Sequence, residues 1–278
     1  MIKILLLLLC FCKVSFAVKD ATGVDIPLKN YKRIISLSPE STELISAFIE
    51  KDSNRLVGVS QYSDYPSWVQ KIKKIGNYVR PNLELIVSLK PDLIFASKVG
   101  NPKNKILMLR KLGLNVFVSD SKDIESIART VLDYGKVLGM ESQANEKIKK
   151  FKDAIAELKI KADLKKTVPV FFQLGVSPLV TIGKSSFLNE ALELAGGYNI
   201  YSDRKENYPR PSREDVISRK PEMILLMNFG KKEEIFSGEV TIWKKSFSKK
   251  IIVFHSDELV RPSLRIVDGI EKLREVIH

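Results

Sequence analysis

The sequence predicts two similar α/β lobes, each a mainly parallel sheet flanked by helices, joined by a long rigid α-helix. Three observations carry this prediction. Residues 77–96 recur without a gap at 207–226, with Asn, Tyr, Arg, Pro, Glu, Ser, Lys, Pro and Ile identical at places always 130 positions apart. Short apolar strands alternate with helices on either side of the chain's middle, as crossover helices and a parallel sheet require. Between those two regions, from Ile124 to Asp163, the pattern turns to helix alone.

The elements follow from period and punctuation. A β-hairpin is expected around Thr22-Gly23, then an apolar strand at 33–37. Ser38-Pro39-Glu40 opens a helix, with Ser as N-cap, Pro at the first helical position and an acid in the first turn. Strands follow at 56–60 and 92–96, a helix at 103–112 ended by Gly113, and a strand at 115–119. Within the helical stretch Gly139 marks a division, and Ala144, Ile148, Phe151, Ile155 and Leu158 recur at helical spacing. Alternation resumes with strands at 168–174 and 179–182 and a helix at 187–194 closed by Gly196-Gly197. Strands at 222–227 and 251–254 and a terminal helix at 263–277 complete it. In each copy of the repeat a polar turn leads to a short helix opened by Asn82 or Ser212, a Lys-Pro breaker and an apolar strand. The expected organisation is an N-terminal lobe at 18–121, connecting helices at 122–166 and a C-terminal lobe at 167–278, both lobes Rossmann-like.

Residues 1–17 stand apart. Lys3, an apolar run from Ile4 to Phe11 and the small-x-small Ser15-Phe16-Ala17 make a cleavable secretory signal peptide, too short for a membrane span. Cys10 and Cys12 both fall inside it, so the exported chain is expected to hold neither a disulfide nor a thiolate metal site. Leu9 and Phe11, which precede these cysteines, are not the small residues that lipid attachment needs. A length of 278 residues suits two cores better than one. The net charge of +13 is spread over lysines that pair with acids on helix faces, as at Glu146 and Lys150. That is solvated surface and not a nucleic-acid footprint.

Four segments carry a resemblance: Arg33-Ile-Ile-Ser-Leu-Ser-Pro-Glu-Ser-Thr-Glu43, Gly58-Val-Ser-Gln-Tyr-Ser-Asp-Tyr-Pro66, Asn82-Leu-Glu-Leu-Ile-Val-Ser-Leu-Lys-Pro-Asp-Leu-Ile94 and Pro211-Ser-Arg-Glu-Asp-Val216. They resemble the helical-backbone class of periplasmic binding proteins, which serve ABC importers of cobalamin, haem and iron-siderophores. The similarity runs over essentially the whole exported chain. The Tyr-Ser-Asp-Tyr-Pro run, the strand Phe171-Phe-Gln-Leu-Gly175 and Ser256-Asp257 most resemble the cobalamin-binding members. The resemblance implies a monomeric periplasmic receptor, not an enzyme, that takes a corrinoid between its lobes and delivers it to a permease dimer at the inner membrane. The corrinoid is cargo, and no cofactor or metal of the protein's own is implied.

Carried over by residue, Tyr62 matches a tyrosine that touches the corrin, and Asp257, Glu258, Leu259, Val260 and Arg261 match the binding loop of the second lobe. Tyr78 and Tyr208 fall where cobalamin binders commonly place tryptophans, one per lobe. Aromatic faces over a large flat ligand, with a few polar groups at its amide rim, make physical sense of the set. The loop here lacks the aromatic residues of the cobalamin pattern, which leaves a modified corrinoid or a smaller chelate open. Glu84 and Glu214 match the glutamates that engage permease arginines. A helix start favours an acid in any case, but the same acid on both lobes fits a two-fold partner.

Two signals point elsewhere. Gly183-Lys184-Ser185 looks like a phosphate loop, yet position 178, where that motif needs glycine, is proline. His255, followed by Ser256 and Asp257, leaves a secreted hydrolase as a competing class, without a Gly-x-Ser-x-Gly elbow. Within the resemblance, a haem or iron-siderophore receptor is the other alternative.

Overall fold

A computed structural model describes residues 17–49, 54–229, 233–246 and 250–278. The expected signal peptide lies, apart from Ala17, outside the described residues. The chain opens with β1 (Ala17–Lys19) and β2 (Asp25–Pro27), an antiparallel hairpin turning through Gly23 at φ 82°. The buried Asp20 carboxylate ties the hairpin to the first lobe by accepting from the Val118 amide and the Arg110 guanidinium.

The first lobe contains β3 (Ile34–Ser36), α1 (Pro39–Ser46), β4 (Leu56–Val59), α2 (Leu83–Ser88), β5 (Leu93–Ser97), α3 (Lys103–Lys111) and β6 (Val116–Ser119). Its strands run parallel in the order β4-β3-β5-β6. Next come α4 (Ile124–Leu138) and α5 (Glu141–Asp163), divided by Gly139 in the left-handed conformation. The second lobe follows with β7 (Val168–Val176), β8 (Leu179–Thr181), α6 (Phe187–Leu194), β9 (Gly197–Asn199), α7 (Arg213–Ser218), β10 (Met223–Met227), α8 (Glu233–Ser246), β11 (Lys250–Phe254), α9 (Asp257–Val260) and α10 (Ile266–Ile277). Here the order is β11-β10-β7-β8, with β9 also on β7. Every pairing is parallel except that of β7 with β8.

The sequence repeat is also a structural one. Helix α2 is capped by Asn82 and α7 by Ser212, each side chain accepting from the backbone N–H three residues on. Lys90 and Lys220, with φ of 48° and 51°, end the two helices in the same left-handed turn before proline. The following strands then enter equivalent places: Leu93 opposite Ile34 on β3, Met223 opposite Val170 on β7.

The connector is two helices, of which α5, 23 residues long, is the long one, while α4 packs on the first lobe. Tyr134 of α4 packs its ring 4.2 Å from Phe95 and 5.5 Å from Phe117, so α4 covers a face of the first sheet. Its first amide, at Ile124, donates to Glu190 on α6 of the second lobe. One apolar core runs through α4, α5, α6 and α10 into both lobes, while a second lies on the outer side of each sheet. Three of these elements were not foreseen, β9, α8 and the single-turn α9. Gly197 begins β9 where the glycine pair read only as a helix stop. Helix α8 was hidden by Gly238 and the run Val240-Thr241-Ile242, which lower intrinsic helix propensity. Burial decides it instead: Trp243 is wholly enclosed and donates from Nε1 to Gln173 Oε1.

The turn from α9 to α10 depends on one glycine. A Cβ on Gly269 would lie 2.5 Å from the Leu259 nitrogen and 2.6 Å from its Cα, both backbone atoms that can move only with α9. Gly269→Ala should therefore lower stability by about 1–3 kcal/mol, as overpacking does. Thermal unfolding followed by circular dichroism checks it, and an unchanged Tm would show that α9 shifts at no cost.

Candidate functional site

In a parallel α/β sheet, side chains that do chemistry gather where strands end at their carboxyl edge. Both sheets here present that edge to one cleft. Ser38 follows β3, Tyr62 follows β4, Ser97 ends β5, and Ser121 and Lys122 follow β6. From the other lobe, Phe229 follows β10, and Asp257, Val260 and Arg261 follow β11. Ser185, Ser186, Asn207 and Tyr208 complete the far wall around a cavity of about 570 Å³.

The three tyrosines all line this cleft and remain 50%, 37% and 40% exposed at Tyr62, Tyr78 and Tyr208. Rings left this open on concave surface are a ligand-facing feature. Tyr62 meets Tyr78 edge to face with centroids 5.9 Å apart. Each is held by its loop. The Tyr62 turn is fixed through Ser63, whose hydroxyl lies 2.7 Å from Thr42 Oγ1 and 2.9 Å from Ser60 Oγ. The buried Asn101 donates from Nδ2 to the Tyr78 carbonyl at 2.8 Å, and Asn77 Oδ1 accepts the amides of Val79 and Arg80. The Tyr208 segment is held by the Gly183 and Thr181 amides, which donate to the Asn207 and Pro209 carbonyls. Burial pushes the Tyr208 phenol up, against a hydrogen bond with Ser186.

Asp257 to Val260 form the single-turn helix α9, capped by Ser256. The turn explains which of these side chains can reach the cleft. Asp257, Val260 and Arg261 line it, whereas Leu259 points inward and is fully buried in the core. Glu258 turns sideways to Arg265 and Lys272, at 2.8 and 2.9 Å. Leu259 and Glu258 therefore stand outside the lining expected of them, because the segment read as a loop is a helical turn that sends side chains to different sides.

Arg261 is the electrostatic centre of the junction. It contacts Glu43 Oε1 at 3.0 Å and Asp64 Oδ1 at 2.5 Å, both from the first lobe, and Asp257 Oδ2 at 3.2 Å from its own. Glu43 also receives Ser263 Oγ at 2.7 Å and Arg265 at 3.0 Å, and the Arg265 guanidinium stacks 3.5 Å over the Tyr65 ring. Burial pushes the Glu43 carboxyl up despite these partners. Burial opposes the Asp64 charge too, but hydrogen bonds and charge from Arg261 outweigh it and hold that carboxyl below its usual range. Arg261 is partly desolvated, yet its three carboxylates raise its pKa further. Glu43 and Asp64 sat in the segments quoted above, in Pro-Glu-Ser-Thr-Glu and Tyr-Ser-Asp-Tyr-Pro. Nothing in one sequence links them to an arginine about 200 positions on.

The decoys resolve structurally. The Gly183 and Lys184 amides donate to the Asn207 and Arg204 carbonyls, so they are not turned to a phosphate. His255 Nδ1 hydrogen-bonds the Asn228 carbonyl at 2.8 Å, and Ser256 Oγ donates to Glu258, so no Ser-His-Asp relay forms. Among the described residues no group of three or more His, Cys, Asp or Glu side chains could hold a metal ion. Glu84 and Glu214 lie outside the cleft lining, exposed in the first turns of α2 and α7.

A family model described as periplasmic binding protein matches residues 34–245. The chain belongs to that family. A vitamin B12-binding protein of Salmonella typhi is 36% identical over 263 residues, covering 94% of this chain and 96% of that one. The crystal structure of the periplasmic vitamin B12-binding protein BtuF of Vibrio cholerae superposes with a TM-score of 0.76. It is 28% identical and covers 89% of this chain and 96% of that one. A possible iron-binding, periplasmic solute-binding protein of Staphylococcus epidermidis gives 0.77 at 30% identity, covering 90% and 100%. The two-lobed architecture is thus that of the family.

An acid limit on the second-lobe side of the junction network follows from Glu258. Burial would raise its carboxyl, but Lys272, its own amide and Ser256 bring it down from 4.5 to about 2. A carboxylate with a depressed folded-state pKa adds stability above its unfolded pKa and loses it as pH falls toward the folded one. Its contribution should therefore be intact above about pH 4.5 and fade toward about pH 2. Glu258→Gln should be less stable than the parent at neutral pH, with the gap closing across that window in urea unfolding. A gap independent of pH would contradict this.

Proposed function

We propose that the protein captures a corrinoid, with cobalamin the leading ligand, between its lobes and delivers it to an ABC permease from the periplasm. Residues 1–17 would be its cleaved leader. One observation carries the ligand: exposed tyrosine rings face the cleft from both lobes, beside a rim of neutral hydroxyl and amide groups, Ser38, Ser97, Ser121, Ser185, Ser186 and Asn207. Rings cover the faces of a macrocycle, and neutral donors and acceptors suit its carboxamide arms. The vitamin B12-binding relatives support the same ligand. Haem would ask for an axial ligand. Among the described lining residues that task would fall to a tyrosine phenolate.

In this reading Tyr62, Tyr78 and Tyr208 cover the ring, while Asp257, Val260 and Arg261 meet its edge. Incubation with cobalamin, haemin or a ferric siderophore, followed by desalting, should leave one equivalent of corrinoid by absorbance. Retention of haemin alone would overturn the choice. Tyr62→Ala should weaken corrinoid binding by about 1–3 kcal/mol in calorimetry. Equal affinity would remove that ring from the site.

Glu84 and Glu214 would dock the receptor. Each begins a helix at the equivalent place of its lobe. Glu214 is kept below the usual carboxylate range by its own amide and Ser212, and so stays charged. Changing both to Arg should abolish transport in reconstituted vesicles, through like-charge contact with a basic permease surface. Ligand affinity should stay within about 0.5 kcal/mol, as for surface changes away from a site. A matching fall in affinity would place the glutamates in ligand binding instead.

A further inference from the structure

The cation at the cleft floor is already spent on protein carboxylates. Arg261 lines the cavity, yet its guanidinium is held by Glu43, Asp64 and Asp257 at 2.5 to 3.2 Å. The arrangement continues behind it, where Arg265 serves Glu43 and Glu258, and Lys272 serves Glu258. The connected network thus sets four carboxylates, Glu43, Asp64, Asp257 and Glu258, against three cations, Arg261, Arg265 and Lys272. Around the cavity itself Glu40 balances Lys122. Glu40 and Asp257 also sit in the first turns of α1 and α9, where they offset the positive helix ends that would otherwise attract an anion. A receptor for a polycarboxylate chelate would leave such an arginine free for bidentate pairing with its ligand.

We propose that Glu43 and Asp64 are charge-selectivity residues: by neutralising Arg261 from the opposite lobe they set the cleft against anionic metal chelates and in favour of neutral ones. The inference deepens the corrinoid reading and rests on it for the neutral ligand. Both residues act through Arg261, so theirs is a positioning and screening role. Asp64 is the one to change, since its side chain is half exposed and Glu43 is buried. Asp64→Asn keeps the shape and leaves an amide oxygen to accept the Arg261 hydrogen bond, and so removes one charge with little loss of contact.

The test compares neutral cyanocobalamin with its monocarboxylic acid, made by hydrolysing one peripheral amide. Each is titrated by calorimetry into the parent, D64N, R261Q and the double variant, at low and high salt. D64N should favour the acid over the neutral ligand by about three- to tenfold relative to the parent at low salt, and less at high salt. The shift should vanish on the R261Q background. An unchanged ratio, or the same shift without Arg261, overturns the proposal. So does an equal loss of both ligands, which would make Asp64 a lobe-holding contact only. If the parent retains neither corrinoid, the corrinoid reading falls separately. Haemin, dianionic through its propionates, then carries the charge test: D64N must still tighten it in a manner that needs Arg261.

Discussion

Glu43 lies on α1 of the first lobe with only 2% of its side chain exposed, and its carboxylate is met by Arg261, Arg265 and Ser263, all from the second. A carboxylate withdrawn from water costs several kcal/mol unless its partners are close and well directed. Here every partner comes across the gap between lobes, so the charge can be buried only where the lobes meet. That requirement brings α1 against the chain that follows α9. It also fixes the floor of the cleft, because Arg261 serves both the junction and the cavity.

Around that point the apolar core does the rest. Helices α4, α5, α6 and α10 share one continuous layer of buried side chains with both sheets, and Lys161 of α5 is paired with Glu271 of α10 at 2.5 Å. Lobes joined through packed helices have few soft dihedrals to turn about, unlike lobes joined by bare strands, and large hinge closure needs such soft positions. The cleft walls are presented by strand ends, with loops pinned by Asn101, Ser63 and the 181–183 backbone holding the three tyrosines.

The two repeated segments match in backbone but not in support. Beneath α7, Arg213 makes a two-pronged pair with the buried Glu239 at 2.7 and 2.9 Å and stacks over Trp243, while Gln173 bridges Glu239 and Trp243. At the matching first position of α2 stands Leu83, half-buried against apolar neighbours. The glutamates that follow, Glu214 and Glu84, are thus exposed at equivalent positions on differently built foundations, one ionic and one hydrophobic.

The sequence by itself determined the local structure. Caps at Ser38, Asn82 and Ser212, the breakers at Lys90-Pro91 and Lys220-Pro221, and the run of apolar strands are short-range signals. The repeat at a fixed offset made the doubling of the fold visible as well. It also set Tyr78 and Tyr208 at matching places, while Tyr62 and the Asp257–Arg261 segment came from the resemblance to the family. Only the tertiary structure decided which of those side chains face the cleft. A one-turn helix sends Leu259 into the core and Glu258 aside, and four residues are too few to show a period. It alone paired Arg261 with Glu43 and Asp64 and gave Trp243 a helix to sit on. Such contacts join positions far apart in the chain, and their energy comes from burial and charge at a meeting point that no neighbouring residue encodes.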